Sequence, residues 1–155
     1  MGIEIERKFL VDESWKPAGE GTRIVQAYLC SAKERTIRLR LFGDEARLTI
    51  KGEAEGISRP EYEYAIPAED AREMLELLCE RPFIEKARHL VEFAGRTWEV
   101  DVFHGENEGL VVAEVELEAS DAELELPPWI GPEVSQDRRY SNSNLVKKPW
   151  PTWKA

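Results

Sequence analysis

Apolar and polar residues alternate with period two along most of the chain, the signature of β-strands with two unlike faces. Glu4, Glu6 and Lys8 share one face of a first segment, with Ile3, Ile5 and Phe9 on the other. The same alternation sets Gln26 and Tyr28 against Val25, Ala27 and Leu29, and Arg38 and Arg40 against Ile37, Leu39 and Leu41. It continues with Arg47, Thr49 and Lys51, with Glu61 and Glu63, with Lys86 and Arg88, with Glu99 and Asp101, and with Glu114, Glu116 and Glu118. That predicts eight strands, each with a polar or charged face. Short turns at Gly43-Asp44 and Ala94-Gly95, and a loop from Gly52 to Arg59, imply antiparallel neighbours. Pro67 ends the fifth strand, and Ala71, Met74, Leu75 and Leu78 predict an amphipathic helix over 68–80. A shorter helix is expected to start at Ser120-Asp121. From about Pro127, Pro, Trp, Ser and Asn become common. This stretch reads as a tail packing over a single domain that spans 1–155.

The charges are segregated by strand. Like charges repeat at i and i+2 in Glu4/Glu6, Arg38/Arg40, Glu61/Glu63, Lys86/Arg88 and Glu114/Glu116. A half-buried sheet with its charged face in water accounts for any one strand. A face made only for solubility intersperses the signs, however, and whole strands of one sign repel unless something lies between them. The alternative is a mainly β fold with flanking helices, an α+β chain built on a closed eight-stranded antiparallel barrel with its charges inside. Such a barrel has room for one small ligand. Basic strands would meet a small polyanion, and a divalent cation would bridge it to the carboxylates. Oxygen donors with little His favour Mg²⁺ or Mn²⁺ over Zn²⁺.

The chain has 155 residues, is 42% hydrophobic and 34% charged, and carries a formal charge of −10. The apolar content is too high for a disordered chain. No apolar run approaches the roughly 18 residues of a membrane span, and the start MGIEIERKFLV lacks a signal-peptide pattern. Two cysteines, Cys30 and Cys79, make no disulfide framework and point to a reducing, cytoplasmic setting. They read as small buried residues, and His89 and His104 as structural. Net acidity argues against binding nucleic acid or an anionic membrane through overall charge.

The opening I-E-I-E-R-K-F-L-V, with Glu4, Glu6 and Lys8 as an E-x-E-x-K signature, resembles the CYTH family, the triphosphate tunnel metalloenzymes. The resemblance continues in order through Arg38-Leu39-Arg40, Thr49-Ile50-Lys51, Arg59-Pro60-Glu61-Tyr62-Glu63, Glu85-Lys86-Ala87-Arg88 and Glu114-Val115-Glu116. It ends at Asp137-Arg138-Arg139-Tyr140-Ser141-Asn142. It implies an eight-stranded tunnel that binds triphosphate groups with divalent metal. Lys8, Arg38, Arg40, Lys51, Lys86, Arg88 and Arg139 would then bind phosphate oxygens, with Arg138 pointing elsewhere. Glu4, Glu6, Glu114 and Glu116 would hold the metal, and Glu61, Glu63 and Asp101 would hold a second one or orient the basic residues. A lysine among cations has a lowered pKa and can act as a general base. Lys86 is the candidate, with Tyr28 hydrogen-bonded to it or to a nearby water. The reading favoured is metal-dependent hydrolysis of inorganic triphosphate to pyrophosphate and phosphate by a monomer or homodimer, with no nucleic-acid or membrane partner. Adenylyl cyclase, thiamine triphosphatase and a noncatalytic polyphosphate or nucleotide sensor remain the alternatives.

Overall fold

A computed structural model describes residues 2–153. Nine strands form one antiparallel sheet: β1 (Ile3–Val11), β2 (Thr22–Ala32), β3 (Arg35–Phe42), β4 (Glu45–Gly52), β5 (Ser58–Ile66), β6 (Ile84–Phe93), β7 (Arg96–His104), β8 (Val111–Glu116) and β9 (Ile130–Glu133). Helix α1 (Ala68–Leu77) follows β5, and α2 (Asn142–Lys147) lies near the C-terminus. Short 3₁₀ turns occupy Gly105–Asn107, Arg138–Tyr140 and Trp150–Trp153. The strand order is β5-β4-β3-β2-β6-β7-β8-β1-β9, and β1 also pairs with β5. Eight strands therefore close into a ring, with β9 an addition on β1. The closing seam is short, with Ile3, Glu4 and Ile5 opposite Pro60, Arg59 and Ser58. Ala94 (φ 50°) and Gly95 (φ 79°) turn the β6–β7 hairpin with two successive left-handed residues, the geometry that matches strand twist.

The outward faces carry two apolar clusters. Phe9, Trp98, Val100, Ala113, Val115 and Leu117 form one, with Trp15, Leu124 and Trp129 from flanking segments packed on it. Leu39, Ala46 and Ala71 anchor the other, where α1 covers β3 and β4. A third cluster uses inward positions. Along β1, β6, β7 and β8 the inward row changes from Lys8, Lys86, Asp101 and Glu114 to Leu10, Ile84, Phe103 and Val112. These apolar residues meet Tyr28 from β2 and Val134, Tyr140, Leu145 and Val146 from the C-terminal segment. One end of the ring is thus filled by an apolar plug, and charged side chains line the rest.

Four local expectations change. The segment 130–133, assigned to the tail, is a ninth strand. Ser120-Asp121 starts no helix, and a turn closes there with the Ala122 N–H donating to the Ala119 carbonyl at 3.1 Å. Helix α1 ends at Leu77 rather than 80. The Leu78 and Cys79 N–H groups both donate to the Met74 carbonyl, and the Glu80 N–H has already crossed to the Tyr28 carbonyl. Leu78 is therefore exposed. Cys30 and Cys79 are free thiols, half-buried rather than buried. No described helix is long and apolar enough to cross a membrane.

Candidate active site

Antiparallel register turns faces into pairs. Lys8 lies opposite Glu114, Glu6 opposite Glu116, Lys51 opposite Glu61, Thr49 opposite Glu63 and Arg88 opposite Asp101. Of these, Lys8, Glu114, Glu6, Glu116, Lys51, Glu61, Glu63 and Arg88 surround a cavity of about 190 Å³. Seven cationic residues line it (Lys8, Arg38, Arg40, Lys51, Arg59, Lys86 and Arg88) and seven carboxylates (Glu4, Glu6, Glu61, Glu63, Glu99, Glu114 and Glu116), together with Tyr28. A wider vestibule of about 310 Å³ shares Glu4, Glu6, Lys8 and Arg59 with it and is lined also by Ser135, Arg138 and Lys147.

At one wall, Lys51 Nζ bridges two strands, lying 3.0 Å from Glu4 Oε1 and 3.3 Å from Glu61 Oε2. Burial opposes ionisation of Glu4, but Lys51 and Arg59 hold its pKa below the ordinary value. Burial and the adjacent Glu4 push Glu61 up to about 7. A second carboxyl pair follows one step along β1. Burial, Glu114 and Glu4 push Glu6 well above the carboxylate range. Burial also works against Glu114, yet Lys8, Lys86 and Arg88 hold it well below that range. Lys8 Nζ is 4.0 Å from Glu114 and donates to the Tyr140 carbonyl at 3.1 Å.

The opposite wall is basic. Arg88 makes a fork on Asp101 at 2.7 and 2.9 Å and reaches Glu99 at 3.1 Å. Lys86 Nζ lies 2.8 Å from Asp101 Oδ2 and donates to Asn142 Oδ1 at 3.2 Å. Lys86 is fully enclosed. Burial, reinforced by Arg88 and Arg40, outweighs the pull of Asp101 and takes its pKa down to about 7. Arg40 is lowered to about 10 by burial and by Arg38 and Arg88. Arg38 reaches Thr49 Oγ1 at 3.3 Å and Glu63 at 3.9 Å, while its buried Nε–H has no hydrogen-bond partner among the described residues. A buried guanidinium N–H left unpaired is costly, and an acceptor oxygen entering the cavity relieves that cost.

Most residues singled out from sequence therefore converge, with three differences. Asp101 does not line the cavity. It is enclosed behind it and bonded to Lys86 and Arg88. Arg139 points outward, held by Asp137 at 2.6 Å and stacked over Trp153, while the neighbouring Arg138 lines the vestibule. Tyr28 lines the cavity, but Lys86 bonds to Asn142 and Asp101 instead of to its hydroxyl. Arg59, Glu99, Gln26 and Asn142 were not singled out as site residues. Their signal was position on a polar face, or membership of a matched motif.

Among the described residues no three carboxylate, His or Cys side chains are gathered as for a metal ion. The carboxyls come as the two pairs above, Glu4 with Glu61 and Glu6 with Glu114, with Lys51 and Lys8 between them. The donor set still suits a hard cation. Within each pair, one carboxyl is pushed upward by burial and by its neighbour, an arrangement that a bound proton or a divalent cation relieves. The cavity's formal charges also balance, so a polyanion that recruits the lysines and arginines leaves carboxylates needing a new positive partner.

Comparison with known proteins agrees with this geometry. The sequence profile of the CYTH domain matches residues 2–148. An inorganic triphosphatase of Acetivibrio thermocellus is 52% identical over 155 residues, covering 99% of each chain. One from Nitrosomonas europaea is 40% identical over 149 residues, covering 92% of this chain and 96% of its own. A crystal structure of an inorganic triphosphatase superposes with a TM-score of 0.65 at 36% identity, covering 92% of this chain and 93% of that one.

Proposed function

The chain belongs to the CYTH domain family, and from that premise we propose that it hydrolyses inorganic triphosphate to pyrophosphate and phosphate in a divalent-metal-dependent reaction. The observation that carries this reading is a cavity rich in guanidinium and ammonium groups in which the buried Nε–H of Arg38 lacks an acceptor among the described residues. Arg38, Arg40, Lys51, Lys8 and Arg88 bind the phosphate oxygens. Guanidinium forks suit those oxygens and stabilise charge that develops as the bridging P–O bond breaks. Glu6, Glu114, Glu116 and Glu4 would hold the cation, Mg²⁺ or Mn²⁺ by their all-oxygen chemistry, which supplies charge neutralisation at the phosphates. Glu61 and Glu63 hold Lys51 and Arg38 in place, and Asp101 does so for Lys86 and Arg88. Lys86, with its lowered pKa, accepts the proton of the attacking water, and Tyr28 borders the same space. Arg139, turned outward, contributes to the fold of the C-terminal turn rather than to the phosphate site. Residues 1–155 work as one unit, a monomer or homodimer. Free Cys30 and Cys79 suit the reducing cytoplasm.

The test is phosphate release from tripolyphosphate, ATP and thiamine triphosphate in parallel, with Mg²⁺, with Mn²⁺ and with chelator. Metal-dependent release from tripolyphosphate in preference to the other two is expected. Full activity in chelator would overturn the carboxylate assignment. Binding without turnover would make the protein a sensor.

A further inference from the structure

A chain of buried polar contacts crosses from the basic wall to the C-terminal segment. Arg40 Nε donates to Gln26 Oε1 at 3.2 Å. Gln26 Nε2 donates to Asn142 Oδ1 at 2.9 Å, and Lys86 Nζ donates to the same oxygen at 3.2 Å. Gln26 is fully buried, with 0% exposure. The direction of this chain is set by chemistry. A guanidinium only donates, so Arg40 requires the oxygen of Gln26. That turns the Gln26 amide nitrogen toward Asn142, which must answer with its own oxygen. Flipping either amide would set two donors face to face. The Asn142 Nδ2 group is consequently left over. Asn142 lines the cavity, and its Nδ2 has no protein acceptor among the described residues.

We propose that Asn142 is a substrate-binding residue whose amide Nδ2 donates to a phosphoryl oxygen, and that Gln26 is the positioning residue that fixes this orientation. The inference rests on the triphosphatase reading above and extends it to two uncharged residues. A neutral donor adds a hydrogen bond without adding to the repulsion among Arg38, Arg40 and Lys86. It also places one phosphate contact on α2, so the C-terminal segment takes part in binding as well as in closing the ring's end.

Steady-state kinetics on tripolyphosphate at saturating Mg²⁺ tests this, with melting temperatures taken alongside. Asn142→Ala should raise KM about tenfold, the size of one lost hydrogen bond. Asn142→Asp is isosteric, keeps the acceptor for Gln26 and Lys86, and puts a negative charge toward the phosphate, so it should raise KM further. Gln26→Glu keeps the acceptor for Arg40 but demands a donor from Asn142, turning Nδ2 away from the cavity. It should mimic Asn142→Ala, and the double variant should be no worse than about twofold beyond that single variant, because both remove one contact. If both Asn142 variants kept the wild-type KM, the assignment of Asn142 would be overturned. If the KM effects of Gln26→Glu and Asn142→Ala multiplied, the positioning role of Gln26 would be. A purely structural role would lower melting temperature and leave KM of the folded protein unchanged, which also overturns the proposal. A wild-type protein that neither binds nor hydrolyses tripolyphosphate would instead remove the triphosphatase reading itself.

Discussion

Arg38 concentrates the physics of the site in one side chain: 7% exposed, bonded through one terminal nitrogen to Thr49, and with a buried Nε–H that has no partner among the described residues. Arg38→Lys keeps the charge but loses the planar fork. Loss of one charge-assisted contact in a site with little bulk water should cost about 2–4 kcal/mol of transition-state stabilisation, or roughly 30- to 1,000-fold in rate. Arg47 is the control. It lies opposite Arg40 in register, is 41% exposed and sits 3.8 Å from Glu63, outside the cavity lining. An exposed ion pair of this kind contributes about 0–1 kcal/mol, so Arg47→Ala should be nearly silent in the same assay. Equal damage at both positions would mean general electrostatics rather than specific phosphate ligands. Lys86 gives a pH prediction. A base must be neutral to accept a proton, so with a pKa near 7 the rate should rise with pH through about 7 and level off above. Residual activity of Lys86→Met should lack that limb. A rate that falls through the same range would make Lys86 a phosphate-binding cation instead. Alternation in the sequence assigned each of these side chains to a face. It could not say which residues meet, because partner choice depends on strand order and register. That is why alternation alone leaves Asp101 between a metal-ligating and an orienting role and passes over the uncharged Gln26. Arg138 and Arg139 are adjacent on a 3₁₀ turn with no two-residue period, and the guanidinium fork that Arg139 makes on Asp137 decides which points outward.

At the scale of elements, the eight ring strands were legible because each keeps its alternation, and α1 because its apolar residues recur at helical spacing. The ninth strand was not. Ile130-Gly131-Pro132-Glu133 is four residues with a glycine and a proline, and it pairs with β1 through Phe9↔Glu133 and Val11↔Ile130 alone. Helix α2 is six residues long and depends on its surroundings more than on its own propensity. Ser141 Oγ accepts from the Asn144 N–H at 3.2 Å at its start, and Leu145 and Val146 drop into the apolar plug. That plug was hidden because the inward rows stay in phase while their chemistry changes from charged to apolar partway along the strands. Leu145 is 0% exposed. Leu145→Ala should therefore cost about 2–5 kcal/mol of stability through lost burial and the cavity left behind. Since α2 carries Asn142, the same substitution should weaken tripolyphosphate binding, measured as a rise in KM below the melting transition. A stability loss with unchanged KM would separate the plug from the site.

Across the whole molecule, three residues of the proposed ligand site, Lys51, Glu4 and Glu61, also sit at the closure of the ring. The seam between β1 and β5 has three paired positions, against nine between β6 and β7. Lys51 on β4 reinforces it by holding Glu4 of β1 and Glu61 of β5 together. In Lys51→Met the two carboxyls remain in contact with one cation fewer, and breaking such a part-buried pair costs roughly 3–5 kcal/mol. The sign of the pH effect follows from the proton balance. Lys51 helps hold Glu4 below its ordinary value and limits the rise of Glu61, so removing it moves both carboxyl pKa values upward; the folded variant then binds more protons than the folded wild type, and its stability falls further behind as pH rises through the interval between the two sets of values. The loss in Lys51→Met should accordingly be larger at pH 8 than at pH 5, whereas a simple cavity would cost the same at both. Amide exchange should quicken first at the seam, at the Glu61 N–H that donates to the Gly2 carbonyl and at the backbone of Glu4, while the β6–β7 hairpin stays protected. Tripolyphosphate with Mg²⁺ binds only the closed ring on this reading, so it should slow exchange at the seam in the wild type and raise its melting temperature in a concentration-dependent way. Uniform exchange changes around the ring, or a pH-independent loss in Lys51→Met, would mean that the seam is not where this fold opens.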